Sequence, residues 1–173
     1  MKNAPAFHTR DAERGKHWRD YWPLFVLIAV SALAATAITL PQPTLMLWMH
    51  GYMGVFLCLF ATLKLFHPEA FANGFVMYDL LAKRVRAYAY LYPYLELALG
   101  LCYLGFIAPQ ITYIVTIALF AFGALGVLVA LRRGLDINCP CMGSILQVPL
   151  STVTLTEDGA MIAMAAIMLL QLG

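Results

Sequence analysis

Five stretches of this chain are long and apolar enough to cross a lipid bilayer, and nothing else limits its fold as strongly. They run over 22–40, 45–66, 88–107, 111–131 and 151–172. The hydrocarbon core of a bilayer is spanned by about 20 mostly apolar residues in helical form. Backbone groups in lipid find no water, so each must be paired within its own segment, which a helix achieves. A barrel would instead show short segments of alternating character. Composition agrees: 62% of the residues are hydrophobic and 12% charged, against roughly 45–50% and about 25% in soluble domains. The chain reads as an all-α, polytopic membrane helix bundle with five transmembrane helices. Residues 1–21 form a basic arm and 22–173 a single helical domain, with a polar loop at 132–150.

Pro41-Gln42-Pro43 separates the first segment from the second, and Ala108-Pro109-Gln110 the third from the fourth. Links this short make antiparallel neighbours. Ser31 to Ala37 has the small residues of a signal-peptide end, but the charged stretch before it is long, so the segment is read as a retained span.

The eleven Lys and Arg fall in three places. Lys2, Arg10, Arg14, Lys16 and Arg19 precede the first segment. Lys64, Lys83, Arg84 and Arg86 flank the link between the second and third. Arg132 and Arg133 follow the fourth. The links around Gln42 and Gln110 carry no charge. Under the positive-inside rule this places the N-terminus and the 132–150 loop in the cytoplasm and the C-terminus outside, in a multi-pass membrane protein. Glu157 and Asp158, early in the fifth segment, make it the weakest span.

Several polar or soft groups lie within the spans. Met46, Met49, His50 and Met53 follow i, i+3, i+4, i+7 spacing and share one helical face. Thioether and imidazole suit Cu(I) or another soft ion, although methionine is also an ordinary packing residue. Glu96 lies about ten residues into the third segment. An ionisable group at that depth should face the bundle and have a partner. Lys64, on the same face as the methionine stripe, has a stem long enough to provide one. The pair either fixes helix packing or relays a proton or cation; a neutral Glu96 bonded to a tyrosine is the alternative. Tyr88, Tyr90, Tyr92 and Tyr94 read as an interfacial belt. Cys58 and Cys102 read as small core residues, and Gly51, Gly54, Gly123 and Gly126 as points of close helix approach.

The 132–150 loop differs in character, because it holds Cys139-Pro140-Cys141-Met142 beside Arg132 and Arg133. Positive charge nearby raises the thiolate fraction. Two thiolates, with Met142 as a third ligand, can hold a soft metal ion; Zn(II) would require four ligands. The same two thiols can act as attacking and resolving groups in disulfide exchange. In the cytoplasm thiols are held reduced, which disfavours a structural disulfide. Spacing alone leaves metal and redox chemistry both open.

The stretch from Arg132-Arg133-Gly134 through Cys139-Pro140-Cys141-Met142-Gly143 to Pro149-Leu150-Ser151 resembles the MauE branch of the DoxX-like membrane proteins. So do Tyr78-Asp79-Leu80-Leu81-Ala82-Lys83-Arg84 and Tyr92-Pro93-Tyr94-Leu95-Glu96. The resemblance covers about residues 44–172. It implies a bacterial inner-membrane protein with a four-helix membrane core, to which this chain adds an N-terminal helix, and a redox role tied to methylamine utilisation. By resemblance Cys139 and Cys141 are the redox pair and Glu96 a site residue within the membrane. The expected activity is thiol–disulfide exchange in the maturation of partner proteins, without an independent catalytic domain. Partners besides the lipid bilayer would be thioredoxin- or glutaredoxin-like proteins or other membrane subunits; no nucleic acid is expected. The alternative is a soft-metal protein for Cu(I) or Hg(II). Its outer site would be Met46, Met49, His50 and Met53, and its inner site Cys139, Cys141 and Met142.

Overall fold

The computed structural model describes residues 21–132 and 150–172. Within them lie six helices: α1 (Trp22–Thr39), α2 (Leu45–Phe66), α3 (Pro68–Tyr78), α4 (Arg86–Leu104), α5 (Pro109–Arg132) and α6 (Leu150–Leu170). No strand occurs among the described residues. The described part of the molecule is all-helical, in keeping with a membrane helix bundle.

Local chemistry sets most boundaries. α1 stops before Pro41, whose ring cannot continue a helix. Thr44 caps α2, its Oγ1 accepting from the Leu47 N–H at 3.3 Å. α3 opens with Pro68, where a missing N–H costs nothing, and Glu69 complements the positive end of its dipole. Between α4 and α5 the chain reverses through Phe106 and Ala108, two non-glycine residues with φ of 51° and 42°. Such left-handed backbone costs roughly 1–2 kcal/mol per residue, so packing must hold this turn in place.

Three of these helices are long and apolar enough to cross a membrane: α1, α2 and α5. The sequence reading had five. α4 and α6 have comparable lengths, 19 and 21 residues. However, α4 carries five tyrosines and Glu96, and α6 carries Glu157 and Asp158, which lower their apolar character. The 67–87 link, read as a loop, contains α3. Its residues Phe71, Ala72, Phe75 and Tyr78 form a buried stripe facing the other helices.

The closest packing is within the pairs α1–α2, α2–α4 and α5–α6. α1 rests chiefly on α2, with Ala35 against Gly51. α2 and α4 cross at Gly54 and Gly100. A Cβ on Gly100 would lie 2.8 Å from Cys58 Sγ and 3.0 Å from the Gly54 carbonyl oxygen, so the backbones touch directly. On α5, Gly126 lets the helix approach the end of α3, where the Tyr78 carbonyl would be 3.1 Å from a Cβ.

The turn between α3 and α4 is tied by Asp79. Its buried Oδ1 accepts from the N–H groups of Leu81 at 2.9 Å and Ala82 at 2.7 Å. Burial pushes the Asp79 carboxyl above its usual range, while these two donors and the Lys83 charge pull it back. The C-terminal ends of α2, α3 and α5 and the N-terminal ends of α4 and α6 therefore gather at one end of the bundle.

Candidate functional site: a buried charged centre

Lys64 lies in the last turn of α2, where a lysine normally extends its charge outward to water. Side chains on a helix lean toward its N-terminus, and the Lys64 stem follows that lean into the bundle. Its ammonium Nζ donates to Glu96 Oε2 at 2.5 Å. Lys64 is 4% exposed and Glu96 0%. Around the ammonium stand three aromatic rings, with centroids 5.3 Å (Tyr92), 5.6 Å (Phe71) and 5.9 Å (Phe60) away. Their negative faces partly replace the lost hydration.

Beside this pair lies a small cavity with about 20 Å³ of space for water centres, enough for roughly one molecule. Lys64, Tyr92 and the α3 aromatics Phe71, Phe75 and Tyr78 line it on one side. Phe120 and Gly123 of α5 and Thr154, Glu157 and Asp158 of α6 line the other. The three α6 residues follow i, i+3, i+4 spacing and so share one face of that helix. Asp158 is 4% exposed, and its Oδ2 has no hydrogen-bond partner among the described residues. That oxygen would lie 3.6 Å from a Cβ on Gly123, so the bare glycine faces it. Glu96 Oε1 is likewise buried without a partner among the described residues.

A second polar cluster sits toward the opposite end of α2. His50 is buried. A carbonyl only accepts, so the 3.1 Å contact with the Tyr103 oxygen means that Nδ1 carries a proton and donates it. Nε2 meets the Tyr113 hydroxyl, and in the neutral ring it accepts from that group. Phe106 stacks on the imidazole at 4.3 Å, which gives the strained turn a packing role. The Tyr103 hydroxyl donates to Thr116 Oγ1 at 3.2 Å, and Thr116 donates to the Thr112 carbonyl at 2.7 Å.

The structure thus brings Lys64 and Glu96 into direct contact. It adds Asp158 and Glu157, which the sequence reading treated only as weaknesses of the last span. The signal was present: two carboxylates in an apolar segment invite the same search for a partner that Glu96 did. Tyr92, read as part of an interfacial belt, is instead buried and lines the cavity, whereas Tyr90 and Tyr94 are exposed. Met49, His50 and Met53 are buried and Met46 is half-buried. Both nitrogens of His50 are engaged by protein groups, so in this arrangement the ring offers no free lone pair to an ion. Among the described residues no three His, Cys, Asp or Glu side chains form a cluster with metal-site geometry. Cys58 and Cys102 are unbridged and half-buried on α2 and α4. Cys139, Cys141 and Met142 lie outside the described residues, as do the basic arm and most of the 132–150 loop.

No curated protein and no solved structure matches the chain. A family model does. It covers residues 42–171, beginning just after α1 and including α2 to α6, the Lys64–Glu96 pair, Asp158 and the Cys139-Pro140-Cys141 segment. That span is most of the chain, and the chain belongs to the family described as methylamine utilisation protein MauE.

Proposed function

We propose that this chain is a membrane-embedded thiol redox protein that supports the maturation of partner proteins, with Cys139 and Cys141 as its reactive pair. The observation that carries the reading is the family match, whose residues 42–171 include both cysteines. The other two thiols, Cys58 and Cys102, lie within helices, and Cys58 Sγ packs where α2 meets α4 at Gly100. The loop pair is therefore better suited to meet a protein partner.

The exchange is reversible and balanced. A thiolate of one partner attacks the disulfide of the other and forms a mixed disulfide, releasing one thiolate. The second thiol of the attacking pair, deprotonated in turn, displaces the remaining sulfur. One pair ends as a disulfide and the other as two thiols, with two electrons transferred. A thioredoxin- or glutaredoxin-like protein has the chemistry for such a partner. In this reading α4 and α6 also cross the bilayer, giving five spans. The positive-inside rule then puts the cysteine loop, and the Lys64 end of the bundle with it, on the cytoplasmic side.

The test is mixed-disulfide trapping in cells with Cys139→Ser and Cys141→Ser: the variant that lacks the resolving thiol stalls exchange after its first step, and the one that lacks the attacking thiol blocks that step. A covalent partner that disappears on reduction is expected from at least one variant. If neither traps a partner and the wild-type pair keeps one redox state under oxidant and reductant, the reading fails. Cu(I) binding by the purified protein that depends on both cysteines, without trapping, would move the assignment to soft-metal handling.

A further inference from the structure

The cavity beside Lys64 has a charge imbalance that the ion pair does not resolve. Lys64 is the buried cation among the described residues; Lys83, Arg84, Arg86 and Arg132 are exposed. Its single positive charge is matched by Glu96, which it contacts. Glu157 and Asp158 of α6 are further buried carboxyls lining the cavity with Lys64, so one ammonium, already in contact with Glu96, stands against three carboxyls, and Asp158 Oδ2 has no hydrogen-bond partner among the described residues. An isolated carboxylate in a low-dielectric interior is strongly unfavourable even after relaxation. Only a bound cation or a bound proton removes that cost.

The lining decides between them. A hard metal ion takes about six or more oxygen ligands. The cavity wall is largely aromatic, and its oxygens come from Thr154, Glu157, Asp158, Tyr78 and Tyr92. Lys64 also lines it and would repel a metal cation. A proton needs neither ligand shell nor volume. We infer that Asp158 binds an exchangeable proton, and that Lys64, Glu96 and Asp158 form a proton site inside the membrane bundle.

Its neighbours are drawn from every packed element. Lys64 comes from α2, Tyr78 from α3, Glu96 and Tyr92 from α4, and Glu157 from α6 itself; α5 contributes the uncharged Phe120 and Gly123. Tyr52, within the electrostatic reach of Glu157, and Cys58, within that of Glu96, stand farther out. Gly123 carries no side chain where a Cβ would stand 3.6 Å from Asp158 Oδ2. The cavity has room for one water, which can carry the proton away from the carboxyl. The site is independent of the thiol reading, because none of its members is a cysteine.

The experiment is infrared difference spectroscopy of the full-length protein in lipid, which sees the C=O stretch of a protonated carboxylic acid directly. Wild-type protein at neutral pH should show such a band, with a deuterium shift in heavy water, and Asp158→Asn should lose it. Lys64→Met should enlarge the band, since Glu96 then has no cation and takes up a proton too. That second variant keeps the test decisive if Asp158→Asn fails to fold. Absence of the band in wild type, its persistence in folded Asp158→Asn, or its removal by sodium or potassium at constant pH would overturn the inference.

Discussion

Removing one partner of the Lys64–Glu96 pair should damage the bundle more than removing both. The two charges meet at 2.5 Å, where with an effective dielectric of about 20 their attraction is roughly 7 kcal/mol. Both are almost wholly buried, so several kcal/mol per ion of lost hydration opposes that gain. The pair as a whole therefore adds little net stability. Lys64→Met leaves Glu96 without its cation, and Glu96→Leu leaves an ammonium among Phe60, Phe71 and Tyr92 with its counter-ion gone. Each single variant should lose about 3–5 kcal/mol, while the double variant Lys64→Met/Glu96→Leu should lie within about 1–2 kcal/mol of wild type. The assay is reversible unfolding in mixed detergent micelles, followed by circular dichroism, run as a double-mutant cycle. Single variants each costing below about 1 kcal/mol, or a double variant costing the sum of the singles, would show that the charges are not coupled as the structure indicates.

Gly100→Ala should lose about 1–3 kcal/mol by the same unfolding measurement, because the added methyl would overlap Cys58 Sγ at 2.8 Å. Tyr113→Phe removes the hydroxyl that meets His50 Nε2, and a buried acceptor left alone should cost about 1–3 kcal/mol; a partner substitution His50→Phe should recover part of that loss. Asp79→Ala should cost about 0.5–2 kcal/mol by analogy with a lost helix cap, since two N–H groups lose their acceptor. Asp79→Asn keeps an acceptor and removes a charge whose burial raises the carboxyl pKa. A raised folded-state pKa means that wild type is most favoured when Asp79 is protonated, at and below the unfolded value of 3.8. That advantage is lost as pH rises through the folded-state value. The stability of Asp79→Asn relative to wild type should therefore increase from acid to neutral pH, and unfolding midpoints across that range measure it.

The long elements were legible because lipid leaves so little choice. The segments 22–40, 45–66 and 111–131 coincide with α1, α2 and α5 to within two residues. The contact between Lys64 and Glu96 was legible for the same reason, since a buried charge requires a partner. α3 escaped because a search for spans ignores an 11-residue helix. Its start was nevertheless written in Pro68-Glu69, and its buried face in Phe71, Phe75 and Tyr78. Asp158 escaped because one sequence cannot show which helix faces its cavity; that depends on α5 and α6 packing with Gly123 opposite the carboxylate. His50 illustrates the reverse. Its spacing from Met46, Met49 and Met53 suggested a ligand set, but its actual partners, Tyr103 and Tyr113, are 53 and 63 residues away in sequence.

The inward reach of Lys64 also has a consequence in time. A membrane protein is made from its N-terminus and its helices enter the bilayer in sequence. α1 and α2 can enter first as a hairpin, joined by Ala35 against Gly51 and by the Trp48 indole N–H donating to Thr36 at 3.1 Å. At that stage Lys64 has no counter-ion, because Glu96 follows 32 residues later and Asp158 only in the final helix. A lysine in the last turn of α2 can wait with its ammonium in the headgroup layer, where one in mid-helix could not. In the five-span reading the charged centre is completed late in biogenesis: its cation waits at the surface until α4 brings Glu96, and α6 closes the chamber around it.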